Sequence, residues 1–365
     1  YALQETEGIR SEPLKLALDA TYSLDRDLSG VGVYSREILH GLAVAHPDVP
    51  FLFCYRAHRF LKALRAALPG NARRAIFGET GYGRPWGPWS ADLFHGLNQR
   101  LPRQRFRRAV ATFHDLFVLT GDYSTREFRE RFAQQAREAA ARADLIITVS
   151  AFTARQVEQL LGVEKSRLRV IHHGVRVAPA GRDTPREKIV LHVGAIQRRK
   201  NVARLVKAFE EMPSDWRLVL AGACGYGAEE ILEQIEHSRR RASIDVLGYV
   251  TDRQLANLYA KASIFAFPSL DEGFGMPALD AMASGVPVLA GNRSALPEVC
   301  GDAALLVDPD DTPAIAEGLK RLAVDDGLRA QLSGRGLNRA QEFTWKRAVE
   351  KTWEVYRELL GSRLA

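Results

Sequence analysis

The 365-residue chain carries 51 Lys and Arg against 44 Asp and Glu, and 46% of its residues are hydrophobic. This length accommodates two α/β domains, and the lack of a long uncharged apolar run argues against a transmembrane helix. The first thirteen residues are polar, which predicts no signal peptide. Three isolated cysteines without metal-binding spacing, Cys54, Cys224 and Cys300, predict a reduced, cytoplasmic protein.

The positive charge is concentrated in the first half of the chain. Residues 1–185 contain 27 basic and 19 acidic residues, whereas the remainder contains 24 and 25. The densest basic run consists of Arg100, Arg103, Arg105, Arg107 and Arg108. Three interpretations stay open: contact with an anionic membrane face or a lipid-phosphate acceptor, nucleic-acid binding, and an ordinary basic surface. Nucleic acid is the least favoured because the chain shows no recognition motif, so we expect no nucleic-acid partner.

In the first half, short apolar runs alternate with helical patterns. The predicted strands are Leu14–Ala20, Phe51–Tyr55, Arg108–Phe113, Leu145–Val149 and Leu168–Ile171. The predicted helices are Val33–Ala45, Ser124–Ala143 and Ala151–Leu161. Such alternation is typical of a mostly parallel, doubly wound sheet.

A polar, turn-rich segment at Pro179–Arg186 is the predicted linker, and the alternation then starts again. Here the predicted strands are Ile189–Val193, Arg217–Ala221, Ile244–Leu247, Ser263–Phe267 and Pro287–Ala290. The predicted helices are Val202–Glu211, Glu229–Arg240, Asp252–Ala260 and Gly275–Ser284, followed by a helical tail at Thr312–Leu360. The fold class is therefore α/β, with two Rossmann-like domains facing across a cleft. The first occupies residues 1–183 with a tail at 1–13, and the second 184–343.

The segment from Pro268 to Met282 is the most informative part of the sequence. It follows a predicted strand, turns at glycines and enters a helix near Gly275, whose first N–H groups and dipole form an anion site. Glu272 and Asp280 flank that helix start, and carboxylates accept hydrogen bonds from vicinal hydroxyls. An anion site with flanking hydroxyl acceptors predicts a pocket for a sugar nucleotide.

The same segment resembles the signature of the retaining glycosyltransferases of family four, which have the two-domain GT-B fold. Family members carry a glutamate, seven residues and a second glutamate; here these are Glu272 and, as a departure, Asp280. The resemblance implies that Glu272 contacts the donor sugar and Asp280 the nucleotide ribose, with a shorter reach. It also implies that Gly273, Phe274, Gly275 and Met276 line the donor site. The final helix, at 344–365, would cross back onto the first domain.

Three consecutive cations, Arg198, Arg199 and Lys200, follow the first predicted strand of the second domain. Cations are disfavoured near a helix N-terminus, so an anionic partner explains them better than a solvated helix start does. The resemblance implies that Arg199 and Lys200 neutralise the leaving nucleoside diphosphate. Gly194 permits a close approach of the backbone to that group.

Three further loops complete the predicted site. Gly30 and Gly32 lie in a glycine-rich loop, which alone could be a tight turn; the resemblance implies that it approaches the donor phosphates. His114 ends a predicted strand, and the resemblance implies that it contacts the donor sugar near its C6 hydroxyl. The family holds the nucleobase against a loop that corresponds to Gly248, Tyr249 and Val250 here. Ser150 is a predicted N-cap.

These features predict a glycosyltransferase that moves a hexose from a nucleotide-sugar donor to a saccharide or lipid-linked acceptor. Similarity to bacterial mannosyltransferases of O-antigen and exopolysaccharide synthesis favours GDP-mannose, while UDP-glucose or another UDP-sugar stays open. A nucleotide-sugar epimerase and a non-catalytic nucleotide-sugar binding protein are the alternatives of another class. We expect no metal and no other cofactor, because Lys200, Arg199 and the helix start at Gly275 supply the positive potential. The expected location is cytoplasmic, with peripheral contact between the basic first domain and an anionic membrane left open.

Overall fold

The computed structural model describes residues 14–25, 28–78, 91–176 and 185–361. The predicted tail at 1–13 and most of the predicted linker, 179–184, lie outside these residues. The described chain forms two parallel sheets with helices on their faces, one of seven strands and one of six. The prediction of two Rossmann-like domains is therefore confirmed. Within the described ranges, no helix combines the length and apolar character needed to cross a bilayer.

The first sheet is built from seven strands: β1 (Leu16–Asp19), β2 (Phe51–Arg56), β3 (Ala72–Phe77), β4 (Leu93–Gly96), β5 (Ala109–Phe113), β6 (Leu145–Thr148) and β7 (Leu168–Val170). Their spatial order is β3-β2-β1-β4-β5-β6-β7. The helices of this part are α1 (Gly30–Ala45), α2 (Ala57–Ala63), α3 (Phe117–Thr120), α4 (Arg126–Arg142) and α5 (Ala151–Leu161). The side chains of β1 and β5 are buried on both faces, as expected for strands covered by helices on either side.

The second sheet contains β8 (Glu187–Val193), β9 (Arg217–Ala221), β10 (Ile244–Gly248), β11 (Ala262–Phe267), β12 (Val288–Gly291) and β13 (Ala304–Val307). Their order is β10-β9-β8-β11-β12-β13. The helices are α6 (Val202–Phe209), α7 (Ala228–Glu236), α8 (Asp252–Lys261), α9 (Met276–Ala283), α10 (Leu296–Cys300), α11 (Thr312–Val324), α12 (Asp326–Ala340) and α13 (Trp345–Leu360).

Several elements were not predicted from the sequence. Strand β3 alternates exposed and buried residues at the sheet edge and carries two arginines, while β4 and β13 have only four residues each. The predicted helical tail consists of three helices, and the last of them is the predicted final helix. Each of them starts at a side-chain N-cap, where Asp311, Asp325 and Thr344 accept from Ala314, Leu328 and Arg347 N–H groups at 2.9, 2.8 and 3.2 Å.

Helix α13 returns to the first sheet and packs against α1. A Cβ built on Gly41 in α1 would lie 2.4 Å from the Val349 Cγ2 atom, so the two helices are in close contact there. Ala348, Val349 and Tyr356 belong to the same apolar core as Leu16 in β1. The final helix therefore completes the core of the first sheet although it follows the second in sequence.

Candidate active site between the two sheets

The strands of each sheet are parallel, so their carboxyl ends lie along one edge, where open α/β sheets bind ligands. The two edges meet. The Ser150 hydroxyl, after β6, donates to the Gly273 carbonyl at 2.6 Å, and it also accepts from Thr153 N–H at 3.0 Å, which confirms its predicted N-cap role. A Cβ on Gly273 would lie 1.8 Å from the His114 carbonyl oxygen, so only glycine fits this contact.

A buried ion cluster lies where the edges meet. Lys200 Nζ lies 2.5 Å from Glu272 Oε1, and Arg199 Nη1 lies 3.2 Å from Glu272 Oε2. Arg199 and Lys200 also lie over the rings of Phe117 and Phe267, with cation-to-centroid distances of 4.2 and 4.8 Å. The structure thus brings three of the predicted catalytic residues together.

Electrostatics keep this cluster ionised. Burial favours the neutral form of Glu272, but Lys200 and Arg199 outweigh it and hold the pKa of this carboxyl below its usual value. Burial lowers the pKa of Lys200, an effect that Glu272 opposes. Burial raises the pKa of Asp115, which faces the same cluster, to about 6. Because Glu272 is paired with both cations, an incoming diphosphate has to compete with this carboxylate for Lys200 and Arg199.

Helix α9 begins beside this cluster. Gly275 has φ +98°, in the left-handed region that favours glycine, and Pro277 lies in the first turn. The Gly275 carbonyl accepts from the Ala278 and Leu279 N–H groups at 3.0 and 3.3 Å, and Pro277 has no N–H. The N–H groups at Gly275 and Met276 are therefore those that this helix start would offer to an anion.

The predicted glycine-rich loop is the first turn of α1, with Ser29 as its N-cap, and it faces the same helix start. A Cβ on Gly30 would lie 2.7 Å from the Met276 methyl carbon, so the two predicted donor-binding segments meet. Gly32 differs, because its Cβ would lie 2.9 Å from the Tyr22 carbonyl oxygen within the first domain. Phe274 is buried, and its ring packs edge-on against the ring of His173, with ring centroids 4.9 Å apart. The Gly32 and Phe274 positions are explained by packing.

His114 is buried at the end of β5. Its Nε2–H donates to the Leu97 carbonyl at 3.0 Å, which leaves Nδ1 as the acceptor of the neutral ring. Burial lowers the pKa of His114 to about 4, although that hydrogen bond opposes the shift. The Tyr34 ring meets it edge-on, with centroids 4.8 Å apart. His114 is therefore a neutral, fixed hydrogen-bonding group.

A chain of buried polar groups lies behind His114. The Tyr34 hydroxyl pairs with Thr112 Oγ1 at 3.0 Å, which pairs with His95 Nε2 at 2.8 Å. His95 Nδ1 pairs with the Tyr356 hydroxyl of α13 at 2.6 Å. Helix α13 is thus connected to the ring that supports His114.

Asp280 is buried in α9, and its Oδ1 accepts from the Arg176 N–H at 2.8 Å. Arg176 belongs to the segment that leaves the first sheet. The carboxylate therefore contacts the backbone between the domains, and the ribose contact stays a prediction.

Glycines form a row at the carboxyl ends of β8, β9 and β10. A Cβ on Gly222 would lie 1.9 Å from the Gly194 carbonyl oxygen, and Gly222 N–H donates to the Gly248 carbonyl at 2.7 Å. Gly248 has open space beside its Cα, and Tyr249 is exposed, whereas Val250 packs partly against the core. Open space is thus found beside Gly248, where the nucleobase was predicted, and the base contact stays a prediction.

Sequence reasoning missed several residues of the site. Thr120 Oγ1 donates to Asp271 Oδ2 across the cleft at 2.8 Å. His192 Nδ1–H donates to the Ala266 carbonyl at 2.9 Å, and its buried Nε2 has no partner among the described residues. A histidine in the apolar run of β8, two residues before Gly194, was the available signal.

Glu298 was also missed, and it closes one helix start. Its carboxylate accepts from the Ala151 and Phe152 N–H groups at 2.8 and 3.1 Å and contacts His172 Nε2 at 2.8 Å. The second domain therefore supplies the carboxylate at the N-terminus of α5, and these two N–H groups are not available to a ligand.

Comparison with known proteins agrees with this architecture. The family described as "Glycosyltransferase Family 4" matches residues 29–178, and "Glycosyl transferases group 1" matches residues 180–339. O-antigen chain mannosyltransferase B of Escherichia coli is 30% identical, over 93% of this chain and 99% of that protein. Sucrose-phosphate synthase from Thermosynechococcus elongatus superimposes with a TM-score of 0.78 at 21% identity, over 96% of this chain and 100% of that one.

Anabaena HepE in complex with UDP-glucose superimposes with a TM-score of 0.72 at 18% identity, over 94% of this chain and 99% of that one. The two family matches together span nearly all of the described chain, and the bacterial relative aligns end to end. The chain therefore belongs to the family-four glycosyltransferases, has the GT-B fold that the sequence predicted, and is a glycosyltransferase.

Proposed function

We propose that the chain transfers a hexose from a nucleotide sugar to a saccharide or lipid-linked acceptor, with retention at the anomeric carbon and without a metal. The observation that carries this proposal is the buried pairing of Lys200 and Arg199 with Glu272. The pair lies beside the start of α9, on the opposite side of the cleft from His114 and Gly30. Two cations and a helix start suit a diphosphate, and a released carboxylate suits sugar hydroxyls.

In the proposed reaction, the bond between the anomeric carbon and the donor phosphate oxygen breaks, and the diphosphate departs with the electron pair. Lys200 and Arg199 neutralise it, which releases Glu272 to accept hydrogen bonds from the sugar. The acceptor oxygen attacks from the face that the diphosphate leaves, and its proton passes to the departing phosphate oxygen. Neutral His114 fixes the sugar through Nδ1.

GDP-mannose is the first donor to test. It is supported by the likeness to O-antigen chain mannosyltransferase B, which extends over nearly the whole of both chains. UDP-glucose is the second, because the sequence left a UDP-sugar open and the structurally similar Anabaena HepE is a complex with UDP-glucose.

A donor screen with product detection tests the proposal. Purified protein with GDP-mannose, UDP-glucose or another UDP-sugar should release nucleoside diphosphate and lengthen a saccharide acceptor, with unchanged rates in excess EDTA. Isomerised sugar without acceptor would indicate an epimerase instead. Nucleotide-sugar affinity without turnover, surviving both Glu272→Ala and Lys200→Ala, would indicate a binding protein.

We also propose that the first domain contacts an anionic membrane through the surface around α2. Leu61 and Leu64 are 79% and 55% exposed there and alternate with Lys62 and Arg65. Leu61→Asp with Leu64→Asp should abolish sedimentation with phosphatidylglycerol vesicles. Val324→Asp, at a residue 76% exposed in the second domain, is the matched control and should sediment as wild type. Equal sedimentation of all three proteins would reject this surface.

A further inference from the structure

A separate cavity of about 210 Å³ opens on the first sheet. Asp19, Arg56 and Phe77, the last residues of β1, β2 and β3, form its floor. The loop after β4 and helix α4 complete its walls with arginine, glutamine and apolar side chains. No residue of the ion cluster at Glu272 lines it, so this cavity is distinct from the donor site.

The cavity is lined by more positive than negative charge. Four arginines, Arg56, Arg100, Arg103 and Arg131, line it against two carboxylates, Asp19 and Glu138. The Asp19 carboxylate already accepts from the Thr21 N–H at 2.9 Å. Burial raises the pKa of Asp19, and Arg56 and Arg100, which line the same cavity, oppose that shift.

Two buried polar atoms in this cavity have no partner among the described residues. They are Arg100 Nε, a donor, and Gln135 Oε1, an acceptor. Buried polar groups are nearly always hydrogen-bonded in native proteins, and each exception requires an explanation. A ligand with both an anionic group and hydroxyls would satisfy both atoms.

The loop that lines the cavity also holds the predicted catalytic histidine. His114 follows β5 and donates to the Leu97 carbonyl at the end of the neighbouring strand β4. Arg100 comes three residues after Leu97, in the same loop, and its N–H donates to the Asn98 carbonyl at 2.7 Å. One loop therefore supplies both the carbonyl that holds His114 and an arginine of the cavity.

We propose that this cavity binds a phosphoryl group of the acceptor, an inference that rests on the proposed transferase function. Arginine presents its N–H groups in a planar fork that matches phosphate oxygens. Gln135 supplies an acceptor for a sugar hydroxyl, and Phe77, Leu101 and Pro102 supply apolar surface for a sugar ring. The phosphoryl group can belong to a sugar phosphate or to the diphosphate of a lipid carrier.

Of the basic run found in the sequence, the cavity takes Arg100 and Arg103. Arg107 pairs with Asp92 at 3.6 Å and Arg108 with Asp144 at 3.4 Å, so these two are partly neutralised. The run is therefore divided between a cavity and surface ion pairs, and its cavity arginines favour contact with a phosphate-bearing acceptor.

Calorimetric titration tests the proposal. Protein saturated with GDP, which blocks the donor site, is titrated with glucose 1-phosphate and, separately, with farnesyl diphosphate. At least one of them should bind, and the stronger one identifies the source of the phosphoryl group. Arg100→Gln should weaken that binding by about tenfold to 100-fold, because a charged hydrogen-bonding partner is lost. Arg137→Gln, an exposed neighbour on α4, should leave it unchanged.

Absence of binding by both probes would overturn the proposal, as would equal binding to wild type and Arg100→Gln. Circular dichroism and unchanged GDP affinity show that Arg100→Gln is folded. If GDP does not bind, UDP replaces it, and failure of both nucleotides to bind would count against the proposed transferase function instead. In that case, the same titration of Lys200→Ala without GDP still decides whether the cavity binds the phosphoryl group.

Discussion

The two walls of the cleft are built differently. The wall from the second sheet takes its chemistry from two short segments, Arg198–Asn201 and Glu272–Met276, and its charges are paired with one another. The wall from the first sheet takes its polar groups from strand ends and a helix far apart in sequence, and some of them have no partner among the described residues. The two buried cations of the donor wall thus share one carboxylate of the same wall, whereas the opposite wall retains a positive excess for a partner.

The largest expected effect is on the donor wall. Lys200→Ala should lower turnover by about 100-fold or more, because it removes a preorganised charge at the departing phosphate. Arg198→Ala is the matched control: its neighbouring guanidinium is exposed and pairs with Glu230 at 2.6 Å, so turnover should stay near wild type. Equal activity of the two variants would reject the leaving-group role of Lys200.

The contact between the walls can be tested with two glycines. Gly273→Ala would place its methyl 1.8 Å from the His114 carbonyl oxygen, a backbone atom, and should lower the free energy of unfolding by about 1–3 kcal/mol. Gly30→Ala would meet only the flexible end of Met276, and its effect should be much smaller. Denaturant unfolding of both variants measures the difference, and a reversed order would contradict the closed arrangement of the cleft.

The buried histidines should make stability dependent on pH. Burial lowers the pKa of His114 and His192 to about 4, from the ordinary 6.5 that each regains on unfolding. The unfolded chain then binds more protons, so stability is complete above pH 6.5 and falls towards pH 4. Between pH 7 and pH 5, each of these histidines should lower the free energy of unfolding by roughly 2 kcal/mol. Denaturant titrations at both pH values measure this difference. In His192→Gln, the free energy of unfolding should depend less steeply on pH. The same dependence as in the wild type would contradict the prediction.

Because Glu272 pairs with the cations of the donor wall, one substitution should raise nucleotide affinity and lower turnover. Glu272→Gln removes the carboxylate that competes for Lys200 and Arg199, so a nucleoside diphosphate should bind about tenfold tighter while turnover is lost. Calorimetry with GDP and UDP measures the affinity. Weaker binding than wild type would show that Glu272 does not compete with the diphosphate.

The smallest effect is expected at Asp280. Asp280→Glu restores the residue usual in the family and should preserve or modestly improve nucleotide affinity. The same calorimetric titration measures it. A large loss would show that the contact between Asp280 and the Arg176 N–H needs the shorter side chain.

The donor wall could be predicted from the sequence because its residues lie in two short continuous segments. Glu272 and Gly275 lie within one turn and helix start, and Lys200 lies just after a recognisable buried strand. The other wall could not be predicted in the same way. Arg56, Arg100 and Arg131 meet only because β2, the loop after β4 and α4 pack together, and no local spacing encodes that meeting.

The same reasoning explains the elements that were missed. Strand β3 carries two adjacent arginines, which lie on opposite faces of this edge strand and interrupt the apolar pattern on which the prediction depended. Glu298 is read as an ordinary helix residue until the N-terminus of α5 is placed against it.

The return of α13 to the first sheet has a practical consequence. Tyr356 hydrogen-bonds to His95, and Ala348 and Val349 fill the core beside α1. The last strand of the first sheet ends at Val170, but the helix that completes its core ends only at Leu360. A fragment cut after residue 176 would expose an apolar groove where α13 belongs and should aggregate. Any split or domain exchange that is meant to give soluble halves has to carry this carboxyl-terminal helix with the amino-terminal half.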